Sequence, residues 1–205
     1  MRISRVRILV CLAAFALLAL PALAQSTYFP ANAFDSNTDG DRFMAQWFSG
    51  QLTALQEPSL LAMSKDKSIQ SYRFLWLRTF HHPVAVRVDI RSDGTATLTT
   101  KIADGAGGYE PGKLTINTSR LLSKQETVGL LAAIKDSGFW SLPSPIPRDP
   151  GSIGVDGAEW SIEGVNNGTY HIVTRWSPKD GPIYTLGRYF LFNLAQLQIP
   201  KNEFY

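Results

Sequence analysis

Two adjacent histidines, His81 and His82, and two carboxylates further along, Asp104 and Glu110, are the residues whose types best suit acid–base chemistry. Imidazole titrates near neutrality and a carboxylate can orient it or share its proton, so a hydrolase built on these four needs them within hydrogen-bond reach in one pocket. As metal ligands the histidines are poorly arranged. Neighbours on a strand point to opposite faces, His171 lies far away in sequence, and no mature Cys or His-x-x-x-His pattern accompanies them. A second pattern, Asp35-Ser36-Asn37-Thr38-Asp39-Gly40-Asp41, begins like a calcium loop: Asp35, Asn37 and Asp39 stand at the first, third and fifth positions, Gly40 makes the turn, and Asp41 adds a carboxylate. The second half departs from that pattern, with Arg42 at the eighth position and Gln46 where a bidentate carboxylate belongs. The competing reading is a polar linker in which Asp39 or Asp41 caps a helix beginning near Arg42. Calcium is thus the one cofactor the sequence suggests, and it suggests it only in part.

Other motifs are weaker. Asp104-Gly105-Ala106-Gly107-Gly108 has the glycine content of a phosphate cradle without its Gly-Lys-Ser/Thr ending or a following helix, and it reads as a flexible connection between strands. No Gly-x-Ser-x-Gly elbow offers a nucleophile. Asn117-Thr118-Ser119 and Asn167-Gly168-Thr169 fit the N-glycosylation pattern, and Asn167 is equally well explained as turn chemistry.

The first 24 residues read as a secretory leader. Arg2, Arg5 and Arg7 precede 13 apolar residues from Ile8 to Leu20, and Ala22-x-Ala24 supplies the small side chains a signal peptidase accepts, which puts cleavage between Ala24 and Gln25. As a helix, that run would reach only about 20 Å against a hydrocarbon core of roughly 30 Å, so stable membrane insertion is not expected after cleavage. The leader carries three of the 20 basic residues and none of the 17 acidic ones, so the mature chain is formally neutral, and nucleic acid is not an expected partner. Cys11, the only cysteine, leaves as well, which excludes disulfides and thiol chemistry.

Residues 25–41 form a polar segment, expected to be a mobile or extended arm, and residues 42–205 a single domain. Phe43, Met44, Trp47, Phe48, Leu52 and Leu55 recur at helical spacing before Pro58, with a further short helical turn over residues 59–64. Tyr72, Phe74 and Trp76, then Val84, Val86, Val88 and Ile90, alternate as strands, and Ser92-Asp93-Gly94 returns the chain into a threonine-rich strand. Residues 114–121 suit another strand. Ser123 and Glu126 form a capping box ahead of a helix with Val128, Leu131 and Ile134 on one face and Gly138 past its end. After a Pro- and Gly-rich loop, residues 142–157, a hairpin spans 159–176. A three-residue Asn166-Asn167-Gly168 loop would put Trp160, Ile162, Tyr170, Ile172 and Trp176 on the buried face and leave Glu159 opposite Arg175 and Glu163 opposite His171 on the other. Gly181-Pro182 opens a last helix with a stripe of Ile183, Leu186, Phe190, Leu191, Leu194 and Leu197. This order predicts an α+β fold, an antiparallel sheet of hairpins with helices packed on one face.

The run 71–83, with 105–112 and 176–181, resembles a group of uncharacterised exported bacterial proteins, a likeness that covers most of the mature chain. It implies a periplasmic or secreted protein and carries over no catalytic residue, ligand or partner. Three functions remain open: a non-catalytic domain that binds a protein or small molecule, a small exported hydrolase, and a calcium-binding protein. The absence of any catalytic constellation favours the first.

Overall fold

The computed structural model describes residues 27–34, 38–144 and 156–205. The segment expected to be a leader, Asp35 to Asn37 and most of the loop after Leu142 lie outside the described residues. Six antiparallel strands form one sheet, β1 (Gln70–Arg78), β2 (Val84–Ile90), β3 (Ala96–Ala103), β4 (Leu114–Leu121), β5 (Ala158–Asn166) and β6 (Thr169–Trp176), in the spatial order β4-β3-β2-β1-β5-β6. The helices packed on it are α1 (Thr38–Ala54), α2 (Leu60–Met63), α3 (Lys124–Asp136) and α4 (Gly181–Arg188), the last running into a π-helical turn, Tyr189–Leu194. The fold is therefore α+β. Among the described residues, no helix is long and apolar enough to cross a membrane.

Two cores sandwich the sheet. On the first face Tyr72, Phe74 and Trp76 of β1, with Val86, Leu98, Trp160, Ile162 and Val173 of its neighbours, meet Leu130 and Ile134 of α3, Phe139 behind it, and Ile183, Leu186, Phe190 and Leu191 of the last helix. Those helices share one face, as the hairpin–helix order predicts. The second face is not left to water. Leu75, Leu77, Ala85, Ala103 and Ile172 pack beneath Phe48 and Leu52 of α1 and Leu55 just after it, and Phe29, Ala33 and Phe34 join them. Phe34 stacks on Phe48 at 4.7 Å and meets Phe29 edge-on at 4.8 Å. Each such side chain contributes about 1.5–3 kcal/mol by leaving water. The segment expected to be a mobile or extended arm thus contributes Phe29, Ala33 and Phe34 to the core. α1 begins at Thr38 rather than near Arg42, and Asp41 faces back as a staple, its Oδ2 accepting from Asn32 N at 2.8 Å and its Oδ1 from Phe34 N at 2.9 Å.

Burial on both faces explains where sequence periodicity fails. β1 is buried from Ser71 to Arg78, so its sequence alternates between two cores rather than between core and solvent. The β5–β6 hairpin turns on two residues, Asn167 and Gly168, not three: Asn166 pairs with Thr169, Glu163 with Ile172, and Trp160 with Arg175. Both turn residues have positive φ, 49° and 79°, the geometry an Asn-Gly dipeptide supplies at least cost. Hydrophobic patterning argues for the other register only if one face is solvated. Here Glu159, Glu163, Tyr170 and Ile172 share the second core, while His171 lies on the first face. Phe43 and Val128, both expected on buried helix faces, are 68% and 58% exposed; in α3 the buried positions are Thr127, Leu130 and Ile134.

Polar residues of the second core form one ion network. Arg73 is fully buried; its Nε and Nη2 donate to Glu163 Oε1, and its Nη1 donates to Glu57 Oε2 at 3.2 Å and to the Pro58 carbonyl at 2.7 Å. Arg87 Nε reaches Glu57 Oε2 at 2.9 Å, Lys101 Nζ lies 3.0 Å from its Oε1, and Tyr170 donates to Glu163 Oε2 at 2.9 Å. Burial alone would raise the Glu57 carboxyl; Arg73, Arg87 and Lys101 together outweigh it and hold it below the ordinary carboxylate value. Burial, with Glu163 beside it, pushes the Tyr170 phenol well above its usual value, so it stays a donor.

On the first face, His171 packs edge-on against Phe139 at 5.0 Å and donates through Nε2 to the Leu142 carbonyl at 3.1 Å. Burial lowers its pKa from the ordinary 6.5, only partly countered by hydrogen bonds from the imidazole to backbone carbonyls. As the pH falls through 6.5 the unfolded chain takes up this proton before the folded one, so the fold loses stability over the window from 6.5 down to the folded pKa. Urea unfolding should therefore show a smaller drop in stability between about pH 7 and pH 5 for His171→Gln than for the wild type; identical pH profiles would refute the assignment.

Candidate functional site

The end of the sheet beyond Arg78 gathers most of the residues singled out by their chemistry. β1 runs out at Thr79, which is tied to Gly157 by its backbone N–H and by its hydroxyl, both at 2.9 Å from the Gly157 oxygen. Phe80, His81 and His82 follow, and Pro83 leads into β2. The β3–β4 connection laps over this segment. Gly107 N donates to His81 O at 2.9 Å and Gly108 N to Arg78 O at 3.1 Å, while Gln51 of α1 donates from Nε2 to the Gly107 and Tyr109 carbonyls. A Cβ on Gly107 would stand 2.7 Å from Leu77 Cα, and one on Gly108 2.8 Å from Thr79 Cα. The glycines Gly107 and Gly108 therefore serve close backbone packing, where the sequence reading expected a flexible connection.

The tail completes the platform. The main-chain oxygen of Tyr205 accepts from the indole N–H of both Trp76 and Trp160, each at 3.1 Å. Arg78 lies over the Trp76 ring, 4.2 Å from its centroid, and donates from Nη1 to the Glu203 carbonyl and to its Oε2. Burial draws the Arg78 guanidinium below its ordinary value against the opposing pull of Glu203, and a guanidinium so placed still carries its charge at neutral pH. His81 Nδ1 shares a 2.8 Å hydrogen bond with the Tyr205 hydroxyl, and its Nε2 is 3.9 Å from Glu203 Oε2.

His81, His82, Asp104 and Glu110 thus reach the same end, yet no hydrogen bond joins any imidazole among them to either carboxylate. His81 is engaged by the tail, His82 donates through Nδ1 to Gly105 O at 2.9 Å, Asp104 Oδ1 accepts from Lys113 N at 2.7 Å, and Glu110 is exposed. The arrangement positions backbone; it does not poise a base against a nucleophile. The calcium candidates divide. Asp35 and Asn37 lie outside the described residues, Asp39 forms an exposed ion pair with Arg42 at 3.5 Å, and Asp41 is the staple described above. Among the described residues, no three His, Cys, Asp or Glu side chains are grouped to hold a metal ion.

What the platform does present is aromatic. Phe80 is 57% exposed and Tyr109 62%, with ring centroids 6.2 Å apart and planes tilted by 32°. Scattered exposed apolar residues are ordinary, but two adjacent rings on backbone this tightly tied form a patch. A signal for it was present in the sequence: Phe80 follows the end of a strand pattern and Tyr109 sits in a Gly-rich loop, so neither belongs to an element that would bury it. Two open depressions, of about 360 and 330 Å³, lie at the opposite end of β1 on either side of Gln70.

Gly108→Ala should cost about 1–3 kcal/mol of stability through overpacking against Thr79 and should speed exchange of the Tyr109 amide hydrogen. Gly50→Ala, in α1 where nothing approaches within 4 Å, should instead be neutral or stabilising. Equal effects at the two sites would show that the loop is not held by close backbone contact. The chain matches no protein-family model, and no curated protein matches it.

Proposed function

We propose that this protein is an exported, non-catalytic binding domain whose contact surface is the Phe80–Tyr109 end of the sheet. The observation that carries the reading is the exposure of two neighbouring aromatic rings on a segment fixed by Gly107, Gly108, Gln51 and the tail. Aromatic side chains have few rotatable bonds and large surfaces, so rings held on rigid backbone lose little entropy when a partner covers them. The titratable residues nearby support the same reading, because their polar atoms hold loops and tail together instead of converging on an open cavity. Export rests on the leader pattern, and cleavage after Ala24 would leave the neutral chain that begins at Gln25.

Two measurements test this. Phe80→Ser with Tyr109→Ser should leave stability within about 0.5 kcal/mol of wild type, since surface residues that serve a partner add little to folding. A photoreactive residue placed at position 80 and expressed in cells should yield a discrete adduct absent when the same residue replaces Val128, which is 58% exposed on α3. A loss of more than about 2 kcal/mol in the double variant would make the rings structural. Identical adducts from both positions, or turnover of ester, phosphate or glycoside substrates lost in His81→Ala, would contradict a binding role for this end.

A further inference from the structure

The depression of about 330 Å³ on the first face, between the start of β1 and the end of α3, combines an apolar floor with a polar rim. Leu131 and the half-buried Trp140 indole make the floor, backed by the buried Tyr72 ring, which meets Trp140 at 67° with centroids 6.1 Å apart. Gln70, Asn166 and Lys135 stand around it. Gln70 donates from Nε2 to the Tyr72 hydroxyl at 3.1 Å, which fixes the amide and leaves its oxygen as an acceptor at the rim. Burial raises the Tyr72 phenol above its ordinary value, so its hydroxyl keeps its proton across the physiological range.

We propose that this depression binds one pyranose ring of a glycan. A pyranose presents a patch of C–H groups on one face and hydroxyls around its edge, and this pairing of aromatic floor and amide rim matches both. Other ligand classes fit less well. A phosphate or dicarboxylate calls for clustered cations, and Lys135 is the lone cation of the lining. A peptide strand adds to a free sheet edge, whereas β1 and β5 are interior strands with both neighbours in place. An acyl chain calls for an enclosed apolar slot, and this site is open and rimmed with polar groups. Its volume stands at the lower end of the range for ligand sites, about 300–1,000 Å³, which suits one ring rather than several. The site lies on the far side of the sheet's length from Phe80 and Tyr109 and does not depend on the role of that patch.

The test is a titration of the mature chain with glucose, galactose and N-acetylglucosamine, and with the β-1,4-linked tetramers of the first and last, following the Trp140 indole N–H by NMR. At least one sugar should give a saturable shift with a dissociation constant of about 1 mM, weak as befits an open site with few hydrogen bonds. The tetramers distinguish a glycan chain from a free sugar: tighter binding by a tetramer points to a polymer, equal binding to its terminal ring. Gln70→Ala and Lys135→Ala should each weaken binding by about fivefold without changing the melting temperature, while Phe80→Ser with Tyr109→Ser should leave it unchanged. The proposal is overturned by the absence of a saturable shift with every sugar, by equal binding of cyclohexanol, which has the apolar ring without the hydroxyl rim, or by shifts confined to residues around Phe80 and Tyr109.

Discussion

Arg73, held without access to water between Glu57 and Glu163, is the constraint on which the two-sided packing of this sheet depends. Removing a guanidinium from water costs several kcal/mol, and the cost is offset only when carboxylates and carbonyls satisfy its donors. Here they arrive from two directions. Glu163 comes from the neighbouring strand β5, while Glu57 and Pro58 come from the segment that follows α1. The charge in the sheet therefore specifies where the chain after α1 must sit, and α1 with its apolar face goes with it. Arg87 and Lys101, from the next two strands, meet the same Glu57 carboxylate, so β1, β2 and β3 are tied to one residue outside the sheet. Hydrophobic burial drives α1 onto this face, and the ion network selects its position.

Covering both faces has a consequence for function. With aromatic and aliphatic cores above and below, the two ends of the strands and the sheet edges are where side chains remain available. One end is finished by a glycine-tightened loop and by a tail clamped to Trp76 and Trp160, and it displays Phe80 and Tyr109. The other opens into shallow depressions about Gln70. Among the described residues, neither end aims a base into a cavity, and the histidines at the first are bonded to backbone or tail. The polar residues that look most like chemistry serve as ties between elements.

Much of the architecture was legible from local rules. The alternating strands, the Ser123–Glu126 capping box, the left-handed Gly138 and the Gly181-Pro182 start of α4 each depend on interactions within a few residues, and each is present. What escaped sequence reasoning depends on partners remote in the chain. Arg73 and Glu163 are 90 residues apart and Arg73 and Glu57 are 16 apart, so nothing local identified Glu163 as a buried counter-ion. The three-residue loop keeps His171 and Arg175 off the face of Trp160 and Ile162, an advantage that decides the register only if the other face is solvated; with both faces covered, Asn167-Gly168, the stronger turn signal, prevails. Phe43 and Val128 fit helical periodicity yet face water, because the covered sector is set by what each helix packs against. The exposed aromatic pair was harder still to find: periodicity identifies residues that a regular element buries, whereas Phe80 and Tyr109 stand out because no element covers them.

The most direct test of this account is a double-mutant cycle between Arg73 and Glu163 in the chain from Gln25 onward, using Arg73→Met, Glu163→Gln and the pair, with stability read from urea unfolding. Each single change leaves a buried charge without its partner and should destabilise by about 3–5 kcal/mol, while the pair should cost clearly less than the sum, a coupling of at least about 1 kcal/mol. Additivity to within about 0.5 kcal/mol would mean that the two side chains do not sense each other, and the ion network would then not be what fixes the second face of the sheet.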